Sequence, residues 1–361
     1  MSMHSLKHAC LALALSPLAV GCADADLDPS AQAEAQAQTT APTPRTLDLP
    51  VTLRGTGSAT IRVTVFDAAE IAEGKTVLAV HGLSETGATF EPLAKALAKE
   101  PALGVKRVIA LDHVGHGGSS LPTGATFGEL TIDDNVGVVI SVIEALAKQG
   151  LAPDTLFGHS MGGLAVQGVQ EKLLASGSSL AKLGVTRAVL LAPVPAHGRP
   201  WTQAPAGDIG AFIKQDPALG SYLELPAPVF IAQAFTTTKG KVAPNAPTVE
   251  EVTARGYTAR EPIATLMQLI EAPVALPSGG TVTLARPSVR AGAFGEASGT
   301  RITVVSFSED TLVPAANLPD LGQHLSGTTT AHVAVVGDDA VHSAYISTPA
   351  AVVTALRTAG L

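Results

Sequence analysis

The run Phe157-Gly158-His159-Ser160-Met161-Gly162-Gly163 constrains the fold of this chain more than any other segment. It reads G-x-S-x-G, with an apolar stretch before it and helical periodicity after it. Asp154-Thr155-Leu156-Phe157 has the character of a short buried strand. From Leu164 to Leu173 the apolar residues recur at helical spacing. Strand, sharp turn and helix in that order describe a nucleophile elbow, where a strained turn projects a serine Oγ above a sheet. Glycine two residues before and two after the serine suits that turn, because a Cβ at either place would crowd the neighbouring strand and helix. A chance glycine-rich turn would satisfy the five letters without this context.

The rest of the chain supplies a sheet for such an elbow. Residues 47–53 and 59–66 alternate polar and apolar side chains and read as an opening hairpin. Residues 76–80, 105–111, 187–191, 301–307 and 331–336 are continuous apolar strands. Helical patterns fall at 92–99, 133–148 and 349–358. Buried-type strands alternating with helices imply an α/β chain whose mostly parallel sheet is covered on both faces. With 361 residues, 46% of them hydrophobic, the chain can bury a sizeable core. The expected core spans 46–193 and 301–361. Between them, 194–300 is rich in Pro, Gly and Ala and is helical where it is periodic, as at 263–270. An insertion there would lie over the strand ends as a cap, where open sheets form their sites.

The start of the chain reads differently. Residues 9–20 are apolar apart from Ser16 and Pro17, too short a stretch to cross a bilayer and of signal-peptide size. The stretch ends Leu18-Ala19-Val20-Gly21-Cys22, similar to a bacterial lipobox, in which the cysteine is lipid-modified. Ala19 stands where leucine is usual, so an ordinary secretory signal is the alternative. Both readings place the protein outside the cytoplasm. Residues 23–45, rich in Ala, Gln, Pro and Thr, read as a flexible tether. Cys10 and Cys22 are the only cysteines, so disulfides and cysteine-based metal sites are excluded from the body. A net charge of −8 and 4% aromatic residues argue against a nucleic-acid partner. No protein partner is indicated.

Four features together resemble the α/β-hydrolase superfamily, in particular its capped esterase and monoacylglycerol-lipase-like members. They are His81-Gly82-Leu83 after the strand at 76–80, Asp112-His113-Val114-Gly115-His116-Gly117-Gly118-Ser119 after the next, the elbow, and a late acid followed by a late histidine. The resemblance covers nearly all of 51–361. It implies a triad in the order serine, acid, histidine. Ser160 is the nucleophile. His342 is the base, chosen over His324 and His332, which read as helix and strand residues. Asp310 is the orienting acid, with Glu309 its neighbouring competitor. Some members carry the acid after the strand at 187–191, but Ala192-Pro193-Val194-Pro195-Ala196 offers no carboxylate. Asp338 and Asp339 read as a polar turn. The backbone amides of Met161 and, by resemblance, Leu83 would form the oxyanion hole.

His81, His113 and His116 lack the supporting residues of a metal cluster and read as loop-shaping. Asp112 reads as a partner for loop backbone, and His159 as an elbow neighbour rather than a second base. Trp201, Phe212, Tyr222, Phe230, Phe235 and Met267 are each core or pocket residues of the cap. The reaction implied is hydrolysis of a small-molecule carboxylic ester through an acyl-enzyme, with no cofactor. Serine hydrolysis of a C–C or amide bond, cofactor-free perhydrolysis, and non-catalytic ligand binding on the same fold are the alternatives.

Overall fold

A computed structural model describes residues 43–53, 57–201, 209–275, 281–328 and 331–361. The leader, Cys22 and the tether up to residue 42 lie outside the described residues. Strands β1 (Arg45–Leu53) and β2 (Gly57–Asp67) form the expected antiparallel hairpin, with β1 starting at the last residue assigned to the tether. They are followed by β3 (Lys75–Val80), α1 (Glu91–Ala98), β4 (Val105–Leu111), α2 (Ile132–Lys148), β5 (Thr155–His159), α3 (Met161–Ala175) and β6 (Arg187–Leu191). The insert carries β7 (Ile213–Asp216), β8 (Gly220–Glu224), α4 (Ala227–Ala234), α5 (Val249–Arg255), β9 (Arg260–Pro262), α6 (Ile263–Ile270), β10 (Pro273–Ala275) and β11 (Thr281–Thr283). The chain closes with β12 (Arg301–Phe307), α7 (Leu318–Ser326), β13 (His332–Val335), α8 (Ala344–Ser347) and α9 (Pro349–Thr358).

Eight strands make the main sheet in the order β1-β2-β4-β3-β5-β6-β12-β13. From β4 to β13 every neighbouring pair is parallel, and β2 alone runs against the rest. The period-two alternation of strands decides which residues meet which helices. Leu78 and Val80 of β3 join the core under α2 and α3, with Val139, Ile143 and Leu164. Val77 and Ala79 join the opposite core, under α1 and α9, with Leu93, Leu97 and Val352. Both faces are therefore covered, which explains why the strands are continuous apolar runs. Helix α2 begins at a capping box: Thr131 Oγ1 accepts from the Asp134 amide, and the Asp134 carboxylate accepts from the Thr131 amide at 2.8 Å.

The insert was expected to be helical. It also builds a three-stranded antiparallel sheet, β7-β8-β9, and the hairpin β10-β11. These strands are three to five residues long, too short to show alternation in sequence. Among the described residues, no helix is long and apolar enough to cross a membrane.

Candidate active site

Ser160 sits between β5 and α3 at φ 51° and ψ −118°, outside the regions that side chains favour. Four backbone bonds hold it there. Its amide donates to Leu191 O at 3.0 Å, and its carbonyl accepts from the amides of Gly163, Leu164 and Val194 at 3.0, 3.2 and 3.1 Å. The flanking glycines are sterically required. A Cβ on Gly158 would lie 2.7 Å from Gly162 O, and one on Gly162 would run into the carbonyls of Val80 and His81 at the end of β3.

Asp310 and His342 come from the loops after β12 and β13, and both are buried. His342 Nδ1 donates to Asp310 Oδ2 at 2.9 Å. The other carboxylate oxygen, Oδ1, accepts from the amides of Leu312 and Val313, each at 2.8 Å, which fixes the carboxylate. Burial presses the His342 pKa down. The Asp310 charge, its hydrogen bond and the charge of Glu85 outweigh this and hold the value above the usual 6.5. With Nδ1 committed to Asp310, Nε2 is the nitrogen left for proton transfer. Glu309 turns away to Thr238, Asp338 pairs with Lys239, and Asp339 accepts from Asn245. His324 bonds the Val289 carbonyl and His332 contacts Ser306 Oγ, so both lie elsewhere.

Ser160, His342 and Leu83 line one cavity. Its wall is otherwise mainly apolar: Val194, Trp201, Leu223, Leu225, Phe230, Leu266, Leu269, Ile270, Leu312 and Val313, most of them from the insert. No lysine or arginine is among the described lining residues. Trp201 is fixed by its indole N–H, which donates to Leu312 O at 3.0 Å. Phe235 and Tyr222 are buried in the protein core rather than lining the cavity.

The loop after β3 lies against Ser160. A Cβ on Gly82 would be 3.1 Å from Ser160 Cβ and 3.0 Å from both Glu85 Oε2 and His159 Nδ1, so a side chain there would press on all three. The Gly82 amide donates to Glu85 Oε2 at 2.7 Å, and the Ser84 amide to Glu261 Oε2 at 2.6 Å. Between them, the Leu83 amide has no acceptor among the described residues. The Met161 amide opens α3, where helical N–H groups lack intrahelical partners.

Glu85 was not singled out from the sequence. Its buried Oε2 also accepts from His159 Nδ1 and from Tyr345 OH, each at 3.1 Å, and His159 Nε2 donates to His342 O at 3.0 Å. One carboxylate thus ties the loop after β3, the elbow and the His342 loop together. Burial alone would raise its pKa. The charge and hydrogen bond of His159, with the Gly82 amide, pull it down to about 2. The sequence signal available was a carboxylate close behind His81-Gly82 in an otherwise uncharged run.

The three other histidines brace the same loops. His81 Nε2 accepts from the His113 amide at 3.0 Å, which leaves Nδ1–H to donate to Gly82 O at 2.9 Å. Burial, with the nearby His116, lowers its pKa to about 3. His113 Nε2 donates to His81 O at 3.2 Å. Asp112 accepts from the amides of Gly87 and Gly118 at 2.8 and 2.9 Å.

The model of the alpha/beta hydrolase family matches residues 77–355. The chain belongs to that family. Solved structures similar to it include a hydrolase of 2-hydroxy-6-oxo-6-phenylhexa-2,4-dienoate from Rhodococcus sp., at 18% identity and TM-score 0.56, covering 88% of this chain and 99% of that one. The esterase RhEst1 from Rhodococcus sp. is similar at 18% identity and TM-score 0.52, covering 87% and 97%. An enol-lactonase from Burkholderia xenovorans is similar at 18% identity and TM-score 0.51, covering 86% and 98%. At these identities the likeness shows the fold. No curated protein matches the chain.

Proposed function

We propose that this hydrolase is a serine carboxylesterase for small, neutral, lipophilic esters, of the capped esterase or monoacylglycerol-lipase-like kind. The observation that carries the reading is one apolar cavity lined by a strained Ser160 and by a His342 already paired with Asp310. Serine hydroxyl is a poor nucleophile until a base takes its proton. His342 Nε2 takes it as Oγ attacks the ester carbonyl, and Asp310 stabilises the imidazolium. The amides of Leu83 and Met161 hold the tetrahedral oxyanion. His342 returns the proton to the departing alcohol, then activates the water that releases the acid.

The wall argues against an anionic substrate. Without a lysine or arginine among its described residues, it offers a carboxylate-bearing substrate no counter-charge, and burying an unpaired charge is costly. The insert, which supplies most of that wall, acts as the cap. The leader supports export, with Cys22 as the lipid-bearing residue of a cell-envelope lipoprotein. Cys22→Ser should shift the protein from the membrane fraction to the soluble fraction, and unchanged fractionation would leave plain secretion.

Hydrolysis of p-nitrophenyl esters from acetate to palmitate, wild type against Ser160→Ala, tests the activity. Turnover that disappears in the variant is the expected result. A folded wild type inert on every chain length, and unlabelled by a fluorophosphonate, would overturn it.

A further inference from the structure

The sequence reading assigned no role to Glu261, on β9 of the insert. Its side chain is fully buried, and Oε2 reaches out of the insert to two partners. It accepts from the Ser84 amide at 2.6 Å and from His116 Nε2 at 3.2 Å. His116 Nδ1 donates at 3.1 Å to the Val114 carbonyl, so both ring nitrogens face acceptors and both carry protons. Burial presses the His116 pKa down; the charge and hydrogen bond of Glu261, then Val114 and Asp112, reverse this and raise it.

Ser84 is the residue immediately after Leu83, and it is held at φ 56°. A non-glycine residue reaches that conformation only when its surroundings impose it. Here the insert imposes it. Beside the Glu261 bond, the Ala259 amide donates to Ser84 O at 2.9 Å, the Thr86 amide donates to Tyr257 O at 3.1 Å, and Thr86 Oγ1 donates to Gly256 O at 2.6 Å. Residues 256–261 thus run as a strap along residues 84–86. Of these bonds, only the one from Glu261 is made by a charged acceptor, the stronger kind.

We infer that Glu261 is a positioning residue of the oxyanion hole: by clamping the Ser84 amide against His116, it fixes the Leu83–Ser84 peptide, which adjoins the one that carries the Leu83 N–H, and couples the seating of the insert to catalysis. This rests on the esterase reading above. Glu261 touches no substrate. Its effect reaches the reaction through a backbone amide whose stabilisation of charge exists only in the transition state.

The split between kcat and KM on p-nitrophenyl esters tests this, together with the rate of fluorophosphonate labelling. Glu261→Gln keeps one oxygen for Ser84 but loses the charge, and should lower kcat about 10-fold. Glu261→Ala should lower it about 100-fold, on the scale of a lost oxyanion donor. KM should stay within about twofold in both, and labelling should slow in parallel. Glu224→Gln, which breaks the exposed ion pair with Arg260 on the same small sheet, is the control and should match wild type. Ser84→Gly supplies a rescue: glycine adopts φ 56° freely, so the Glu261→Gln loss should shrink to about threefold in that background. Unchanged kcat, a raised KM with kcat intact, or an equal loss in both backgrounds would overturn the inference while leaving the esterase reading in place. A wild type inert to ester and fluorophosphonate overturns both.

Discussion

At the scale of the residue, the site depends on what each side chain has left to give after its structural bonds are made. Asp310 spends one oxygen on two amides and the other on His342. Asp310→Asn keeps that shape but favours the wrong imidazole tautomer. It should lower kcat about 10⁴-fold with little change in KM, as measured by steady-state ester hydrolysis. Because the base must be neutral and its pKa lies above 6.5, kcat/KM should fall as pH drops through an apparent value above 6.5. Asp310→Asn should move that acid limb downward, since it removes the main charge holding the value up. The sharp turn at Ser160 was legible in its pentapeptide, and the Asp310–His342 pairing was implied by the family's order of serine, acid and histidine. Glu85 was less so, because its partners His159 and Tyr345 lie 74 and 260 positions away. Only the folded sheet brings them within reach.

At the scale of the element, the elbow shows how a local pattern and a distant strand act together. The turn itself is local, but the atoms that forbid a side chain at Gly162 belong to Val80 and His81, at the end of the neighbouring strand and just past it. Gly162→Ala should therefore destabilise the fold by at least about 2 kcal/mol, as overpacking against rigid backbone does, and should abolish fluorophosphonate labelling. Chemical denaturation followed by circular dichroism gives the first number. The strands β4, β6 and β12 and the helix α9 were readable to the residue, because buried parallel strands are unbroken apolar runs and helices repeat every three to four residues. The small strands of the insert were not. They are short, and their pairing is made by neighbours rather than by their own pattern.

At the scale of the whole molecule, buried ionisable groups join the core to the insert and set the response to pH. His81 and His113 are held neutral by burial, His81 with a pKa of about 3 and His113 well below the usual 6.5. Above pH 6.5 neither state binds a proton there. Below it the unfolded chain takes the proton and the folded chain refuses it, so stability falls from pH 6.5 towards pH 3. The slope approaches ~1.4 kcal/mol per pH unit for each histidine. His116 runs the other way: its pairing with Glu261 contributes fully below pH 6.5 and is lost as pH rises through its raised value. Urea midpoints should therefore drop steeply between pH 6 and pH 4, and His113→Phe should flatten the drop. Glu85→Ala, which strands the His159 ring without its carboxylate, should cost about 3–5 kcal/mol in the same assay.

The chain's own pattern specifies the sheet and the sharp turn at Ser160, because those features are periodic or local and each residue reports its own environment; the order Ser160, Asp310, His342 was an expectation from family resemblance. Which carboxylates matter around them is set by the folded packing. Glu85 and Glu261 look like ordinary surface acids in the chain. They become internal braces because folding buries them among amides and histidines contributed by segments far away in sequence, and burial of a charge is tolerable only where such partners converge.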